Sequence, residues 1–259
     1  MTALRVIFNA IYEFDPPAGG LSLVVRLRPL PRPGQLSRGV RIATLPDIED
    51  RRLDSDAYGV LVESGSISRP VRRLQVNADL TVIPAHAASM PEIAVRAEDL
   101  AFEDVASEDR SAAPRRDLAF AAGLDIIRTT TAGWVYEAGL PPCTDLATLA
   151  LERRGGCEDA ARICAAALRQ RGVPVRFVVG YLGGLDASAP RQRRRHAWLA
   201  FWSCDRGWCE IDPLRPAEDV PLVATAWGPA LAALQPVSGT FAVGQVRRSS
   251  IEIQLVSPA

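Results

Sequence analysis

Lysine is absent from this 259-residue sequence: all 30 basic residues are arginine, and 30 acidic residues balance them. Without a net charge, no global field draws the chain to nucleic acid or to anionic lipid. Long apolar runs are lacking too, since stretches such as 177–182 and 220–226 are far shorter than the roughly 20 residues that span a bilayer. We therefore expect a soluble protein that binds neither nucleic acid nor a membrane.

Cysteine and histidine are scarce and scattered. The chain has two histidines, His86 and His196, and five cysteines without a Cys-x-x-Cys pair: Cys143, Cys157, Cys164, Cys204 and Cys209. An odd, dispersed set argues against a disulfide framework, and a structural zinc site usually needs four convergent cysteines or histidines. The first residues also lack the pattern of a secretory signal. These absences predict a cytoplasmic protein with no metal or organic cofactor.

Strand-like segments separated by turn residues dominate the first 85 residues. Apolar residues alternate from Leu4 to Phe14, and the prolines and glycines that follow are expected to end that strand. Further strands are predicted at 21–29, 40–43, 59–63 and 74–83. This spacing favours a β-sandwich-like or barrel domain over residues 1–85. Residues 86–115, which contain prolines and many acids, are interpreted as a segment that crosses between domains.

Helical patterns appear in the remainder of the chain, residues 116–259. One helix is predicted over 144–152 and a second over 157–171, with Gly172 as the cap of the second. Strands are predicted at 175–182, 196–202, 207–211 and 250–256. The last of them is expected to close this domain. The sequence therefore predicts an α+β fold, in which helices pack on an antiparallel sheet after an N-terminal sandwich.

Cys157 carries the strongest chemical signal. It follows two glycines and opens the second predicted helix, where backbone N–H groups and the helix dipole favour a thiolate. Gly155 and Gly156 let a substrate approach the sulfur, and the same N–H groups can stabilise an oxyanion. Asp159 lies in the first helical turn and can accept hydrogen bonds from free N–H groups there. A buried structural thiol is the simpler alternative for a lone cysteine.

Two further residues favour a catalytic interpretation. His196 heads an apolar strand and follows a loop, a position from which its ring can point into a cleft. Asp212 ends the next strand, because Pro213 forces the chain out of it. An acid there can hold the tautomer of an imidazole. Each residue alone also fits an ordinary structural role. Together and in this order, Cys157, His196 and Asp212 form a workable nucleophile, base and orienting acid.

Four segments of the core carry a family resemblance. They are Gly156-Cys157-Glu158-Asp159-Ala160, residues 172–181, His196-Ala197-Trp198 and residues 207–213. These segments resemble those of the bacterial transglutaminase-like proteins, whose core has a papain-like catalytic arrangement. Residues 3–85 resemble the β-rich N-terminal domain that often precedes this core. The resemblance implies a transglutaminase-like cysteine peptidase or amidase, with Cys157, His196 and Asp212 as its catalytic residues.

The activity that the resemblance implies is acyl transfer on amide or peptide bonds of a peptide or protein substrate. Cys157 would form a thioester, and water or an amine would resolve it. Hydrolysis is favoured because resolution by water needs no second binding site. Protein-glutamine transamidation by the same residues is one alternative. A non-catalytic binding scaffold that retains the fold is another.

Other features near these residues allow both functional and structural interpretations. The arginine run 191–195 lines the mouth of a cleft in one interpretation and forms a solvated loop in the other. A disulfide between Cys204 and Cys209, which flank a tight turn, is geometrically conceivable but disfavoured in a reducing compartment. Three tryptophans are expected mostly in the core: Trp198, Trp202 and Trp208.

Overall fold

The computed structural model describes residues 3–84, 94–101, 117–137, 143, 145–182, 195–216 and 221–256. Most of the predicted crossing segment, His86 and the arginines at 191–194 lie outside these residues. The described part of the crossing segment contains one 3-10 helix, Ala97–Leu100. In the described stretches, no helix has the length and apolar character needed to cross a lipid bilayer.

The elements follow in this order along the chain. The first part supplies the strands β1 (Leu4–Ala18), β2 (Leu21–Val25), β3 (Leu36–Leu45), β4 (Glu49–Ser55), β5 (Leu61–Ile67) and β6 (Val71–Ile83). The middle part supplies α1 (Phe120–Thr131), β7 (Val135–Tyr136), α2 (Leu146–Glu152), β8 (Arg154–Gly155), α3 (Cys157–Arg169), β9 (Val175–Leu182), β10 (His196–Ser203), β11 (Gly207–Ile211) and β12 (Leu222–Gly228). The last strands are β13 (Val237–Thr240) and β14 (Val246–Val256).

Two antiparallel sheets pack into an N-terminal sandwich. Their strand orders are β14-β1-β6-β3 and β13-β2-β5-β4. Along β1, Val6, Phe8 and Ala10 are buried while the residues between them are partly exposed, as a period of two predicts. These side chains pack with apolar residues of the second sheet, such as Leu23 and Ile67, in one continuous cluster.

The last strand lies in this sandwich and not in the core. β14 pairs with β1 over Arg5 to Phe14, and β13 pairs with β2. The prediction that the C-terminal strand closes the catalytic domain is therefore wrong. Alternating apolar residues show which face of a strand is buried, but they do not identify its partner strand. β1 also continues to Ala18, beyond its predicted end, and Asp15 N there donates to Gln245 O at 3.0 Å.

The core contains an antiparallel sheet of order β11-β10-β9-β12, and the helices α1 and α3 pack against it. β9 and β12 are buried along their whole length. This burial arises because Phe177 and Trp227 pack in the same cluster as the helices, whereas Tyr181 and Val223 pack into the sandwich cluster. The predicted α+β class, a sandwich followed by helices on an antiparallel sheet, is confirmed.

The chain between β2 and β3 reaches the core sheet at β12. The Gln35 side chain bonds both the N–H and the carbonyl of Ala224, at 2.8 and 2.9 Å. The Arg32 guanidinium donates to Leu222 O at 2.6 Å and pairs with the buried Glu210 of β11. Buried polar groups therefore join the sandwich to the sheet that carries the candidate site.

Candidate active site

The segment before α3 is held by one carboxylate. α3 begins at Cys157, with Gly156 as its N-cap residue in an extended conformation. Asp159 Oδ2 accepts from Gly156 N at 3.0 Å, and Asp159 Oδ1 accepts from Cys143 N at 2.8 Å. Gly155 has φ +149°, and a Cβ there would lie 2.6 Å from Asp159 Oδ2. The predicted contact of Asp159 with a free N–H is therefore present, and it requires glycine at 155.

The same segment is fixed from a second side by β7. β7 and β8 form a short parallel ladder, in which Tyr136 pairs with Gly155. The carbonyl of Gly155 accepts from Glu137 N at 3.0 Å and from Trp134 Nε1 at 3.3 Å. Two residues after this doubly bonded carbonyl, the chain reaches Cys157. The backbone that leads to the sulfur is therefore well ordered by hydrogen bonds.

His196 is positioned by strand pairing in the core sheet. It is the first residue of β10 and pairs with Gly180 of β9. On the other side of β9, Gly180 faces Ala224 of β12, at a bulge in that strand. A Cβ at Gly180 would lie 1.9 Å from Val223 O, so any side chain there would push β12 away. Glycine at 180 therefore allows the close strand spacing beside His196.

Asp212 follows the end of β11, the strand that pairs with β10. His196 Nε2 and Asp212 Oδ2 are 2.9 Å apart, and both side chains are buried. The Cys157 side chain lies near enough to the His196 ring to raise the pKa of that ring. Because Nε2 faces Asp212, Nδ1 is the nitrogen left to exchange a proton with the sulfur. The structure thus brings the three predicted site residues together around one imidazole.

The surroundings of His196 decide its charge. Burial disfavours the charged ring, but hydrogen bonds to Asp212 and Cys157 and the negative charges of both groups raise the pKa of His196 to about 9. The ring therefore carries two protons at neutral pH. A cationic imidazole beside a sulfur stabilises the thiolate form.

Asp212 is kept ionised despite its burial. Burial acts to raise its pKa, but the His196 hydrogen bond and charge, the Leu214 N–H and Arg215 together hold that pKa below its ordinary value. Leu214 N donates to Oδ1 at 3.0 Å, and Arg215 Nη1 lies 3.3 Å from Oδ2. A carboxylate with these partners is fixed in place and can orient the imidazole.

The other cysteines occupy different surroundings. All five cysteines are free thiols, so Cys204 and Cys209 are not joined across their turn. Cys164 is fully buried in the core, and burial raises the pKa of its thiol. Burial also raises the pKa of Cys209, whose sulfur lies 3.4 Å from Ser203 Oγ.

Within the described residues, no group of three or more His, Cys, Asp or Glu side chains is arranged to hold a metal ion.

One ion pair at the site was not predicted from the sequence. Arg195 Nη2 lies 2.6 Å from Glu158 Oε1, and both side chains are mostly buried. Of the run 191–195, the structure describes Arg195, and its side chain is mostly buried and not solvated. The signal was present in the order of residues, since Glu158 directly follows the predicted nucleophile and Arg195 directly precedes the predicted base.

The tryptophans near the site pack mainly as core residues. Trp198 and Trp208 are buried, and Trp202 is partly buried. Trp198 Nε1 donates to Glu210 Oε1 at 3.2 Å. The Trp208 ring lies 4.0 Å from the guanidinium carbon of Arg176, which stands on β9. The expectation that these rings lie mostly in the core agrees with this packing.

Comparisons with known proteins agree with the resemblance in the sequence. Residues 126–213 match the transglutaminase-like superfamily core, and residues 4–83 match the bacterial transglutaminase-like N-terminal region. A solved structure of a candidate cysteine protease from Cytophaga hutchinsonii superimposes with a TM-score of 0.66 at 16% identity, covering 100% of this chain and 92% of that one. At this identity, the likeness concerns the fold.

Two relatives in sequence complete the comparison. A protein-glutamine gamma-glutamyltransferase of Pseudomonas aeruginosa is 38% identical over 66 residues, which are 24% of this chain and only 10% of that relative. An uncharacterized protein of Mycobacterium leprae is 26% identical over 249 residues, covering 84% of this chain and 85% of the relative. This chain therefore matches the bacterial transglutaminase-like N-terminal region in its first part and the transglutaminase-like superfamily core in its second.

Proposed function

We propose that the protein is a cysteine-dependent enzyme that transfers acyl groups from amide or peptide bonds, with Cys157 as nucleophile, His196 as acid and base, and Asp212 as orienting residue. One observation carries the proposal: the buried His196 ring is hydrogen-bonded to Asp212 through Nε2 at 2.9 Å, and Cys157 lies near enough to raise the pKa of the same ring. This is the arrangement that activates a thiol nucleophile.

The proposed reaction has two halves. In the first, the Cys157 thiolate attacks the substrate carbonyl, the C–N bond breaks, and protonated His196 gives its proton to the leaving amine. The product of this half is a thioester on Cys157. In the second, His196 takes a proton from water as the oxygen attacks the thioester, which releases a carboxylic acid and restores the thiolate–imidazolium pair. In this proposal, backbone N–H groups at the start of α3 donate hydrogen bonds to the oxyanion.

Hydrolysis is the favoured outcome, because water is always available and needs no binding site of its own. Transamidation differs only in the second half, where an amine replaces water. The short sequence match to a protein-glutamine gamma-glutamyltransferase supports this second candidate. The expected substrate is a peptide or protein, and no cofactor takes part in either reaction. A cytoplasmic location stays a prediction.

The first experiment measures the rate at which iodoacetamide alkylates Cys157, resolved residue by residue by mass spectrometry between pH 5 and 10. The proposal predicts that Cys157 reacts faster than the exposed Cys204 at neutral pH, and that His196→Ala removes the difference. The buried Cys164 serves as an unreactive internal reference. Equal rates at Cys157 in both proteins would contradict the proposal and favour a non-catalytic scaffold.

The second experiment separates hydrolysis from transamidation. Glutamine-containing peptides are incubated with the enzyme in the presence and absence of a small primary amine. The products are identified by their masses in mass spectrometry. Hydrolysis gives the carboxylic acid in both cases, whereas transamidation gives the amine adduct. The protein contains no lysine, so its own side chains supply no competing amine. Cys157→Ala is the control, and turnover by that variant would overturn the mechanism.

A further inference from the structure

An ion pair bridges the two elements that carry the reacting groups. Glu158 is the second residue of α3, directly after Cys157, and Arg195 is the residue directly before β10 and His196. Arg195 Nη2 and Glu158 Oε1 are 2.6 Å apart. Each partner is therefore one peptide bond away from a residue that the proposed reaction uses.

The bridge is only partly accessible to solvent. The Arg195 side chain is 15% exposed and the Glu158 side chain 26%. A partly buried pair with a short contact is less screened than a surface pair and loses more when one partner is removed.

Arg195 is also held from a second direction. Its Nη1 lies 3.3 Å from Leu234 O and 3.2 Å from Gln235 Oε1. Leu234 ends a 3-10 helix, Leu231–Leu234, that packs against β9 and β12. The guanidinium is thus fixed against the core sheet through one nitrogen and holds the start of α3 through the other. A planar, forked cation suits such a double contact, whereas lysine offers a single point of charge.

We infer that Glu158 and Arg195 are positioning residues: their ion pair sets the approach of the Cys157 sulfur to the His196 ring. This inference rests on the proposed function, because it concerns the same thiol and imidazole. The pair joins a helix end to a strand end, and in the described part of the chain no β-ladder connects these two ends. Losing the bridge would let them separate, and an error of about 1 Å in the position of reacting groups lowers rates by about 100-fold.

The charges of the pair act on the site in opposite directions. Arg195 alone would disfavour a protonated His196, and Glu158 alone would favour it. The effects of the two charges on His196 largely cancel when both are present. The charged groups that act on the ring directly are Asp212 and Cys157, and Arg215 acts on Asp212. A role in positioning and a role in electrostatics can therefore be separated by neutralising both residues at once.

The test uses the double variant Glu158→Gln/Arg195→Gln and two alkylating reagents, neutral iodoacetamide and anionic iodoacetate. Positioning predicts that Cys157 alkylation falls by about tenfold or more with both reagents, by the same factor, since the net charge is unchanged. Arg195→Lys keeps the charge but loses the fork, and it should retain an intermediate rate. Circular dichroism and urea unfolding verify that each variant is folded.

The matched control is Arg28→Gln in the sandwich. Arg28 forms an ion pair with Glu63 at the same distance, 2.6 Å, and its side chain is 27% exposed. This variant should keep the wild-type alkylation rate at Cys157. If the double variant also keeps it, or if iodoacetate alone slows, the pair does not position the thiol and the inference is overturned.

The wild-type protein distinguishes this failure from failure of the proposed function. If Cys157 of the wild type shows no enhancement that depends on His196, the proposed function itself is wrong. If the enhancement is present in the wild type and unchanged in the double variant, only the positioning role is wrong.

Discussion

The N-terminal sandwich and the core differ in how far the charged partners of their ion pairs are buried. In the sandwich, the ion pairs involve at least one partly exposed partner: Arg5 and Asp79 are 47% and 36% exposed, and Arg28 reaches the buried Glu63 from the surface. In the core, Arg176 and Asp99 are both fully buried, 2.8 Å apart. The sandwich thus buries the carboxylate of Glu63 while its arginine partners stay partly exposed, whereas the core buries both members of the Arg176–Asp99 pair.

The comparison shows what each region is built to do. The apolar cluster between the two sheets of the sandwich is stabilised by burial, which is not directional. The core holds the His196 imidazole and the Asp212 carboxylate 2.9 Å apart, which requires directional contacts. Buried ion pairs supply such contacts, because each removes its charges from water and fixes the geometry of both partners.

The largest effect is expected from Asp99→Ala in the core. Asp99 accepts from Arg176 Nε and Nη2 at 2.8 and 2.9 Å, and its removal leaves a buried guanidinium without its carboxylate. The free energy of unfolding should fall by about 4 kcal/mol. Urea unfolding followed by tryptophan fluorescence measures it. A loss below about 1 kcal/mol would mean that the rings around Arg176 suffice to hold the charge.

A somewhat smaller effect is expected from Leu80→Ala in the sandwich. Leu80 is fully buried on β6 and packs in the apolar cluster between the two sheets. The cavity should lower the free energy of unfolding by about 3 kcal/mol. Because the sandwich contributes no reacting group, Cys157 alkylation by iodoacetamide should stay at the wild-type rate. A slowed reaction would show that the sandwich controls the geometry of the site.

The third prediction concerns the pH dependence that Asp212 gives to the core. The pKa of His196 is about 9 in the folded protein, above the value of about 6.5 for an unfolded chain. Its protonation therefore stabilises the fold fully below about pH 6.5, and this contribution is lost as the pH rises through about 9. Asp212→Asn should lower the pKa of His196 and remove about 1–2 kcal/mol of that pH-dependent stability.

Two measurements check the Asp212→Asn prediction. Urea unfolding at pH 6 and pH 10 gives the pH-dependent part of the stability in both proteins. Proton NMR of the imidazole follows the ring itself, and the spectrum is simple because the chain has only two histidines. His86→Gln assigns the second signal. An unchanged pKa of His196 in the variant would show that the carboxylate does not hold the proton on the ring.

The smallest effect is expected from Asp79→Asn at the edge of the sandwich. Arg5 and Asp79 share a bidentate contact at 2.9 and 2.7 Å, which looks strong by geometry alone. Both groups face solvent, so the pair is screened and ordered at an entropic cost. We expect no resolvable change in the unfolding midpoint at physiological salt. A clear loss would break the distinction between exposed and buried pairs.

The sequence is informative about the parts of the site that depend on local structure. The helix that begins at Cys157 and ends before Gly172 was predictable, because glycines flank an amphipathic stretch. Asp212 was predictable from its position after a strand and before a proline. Their meeting with His196 came from the family resemblance, since spacing along the chain does not fix distances between strands.

Other parts could not be predicted for identifiable reasons. α1 begins after Ala119, whose side chain makes no capping hydrogen bond, so its start has no signal in the sequence. The partner of β14 is separated from it by most of the chain. Asp99 lies in a segment rich in acids, and nothing local distinguishes it from its neighbour Glu98. Long-range pairing, of strands and of charges, is what the sequence alone does not show.

The pairing of β1 with β14 makes the core an insertion within the sandwich. Chain order runs from β6 through the core and back to β13 and β14, so the core is covalently tethered to the sandwich at both ends. A single proteolytic cut in one connection would leave the two fragments associated through the β1–β14 ladder, which extends from Arg5 to Phe14. Separating the core from the sandwich therefore requires at least two cuts.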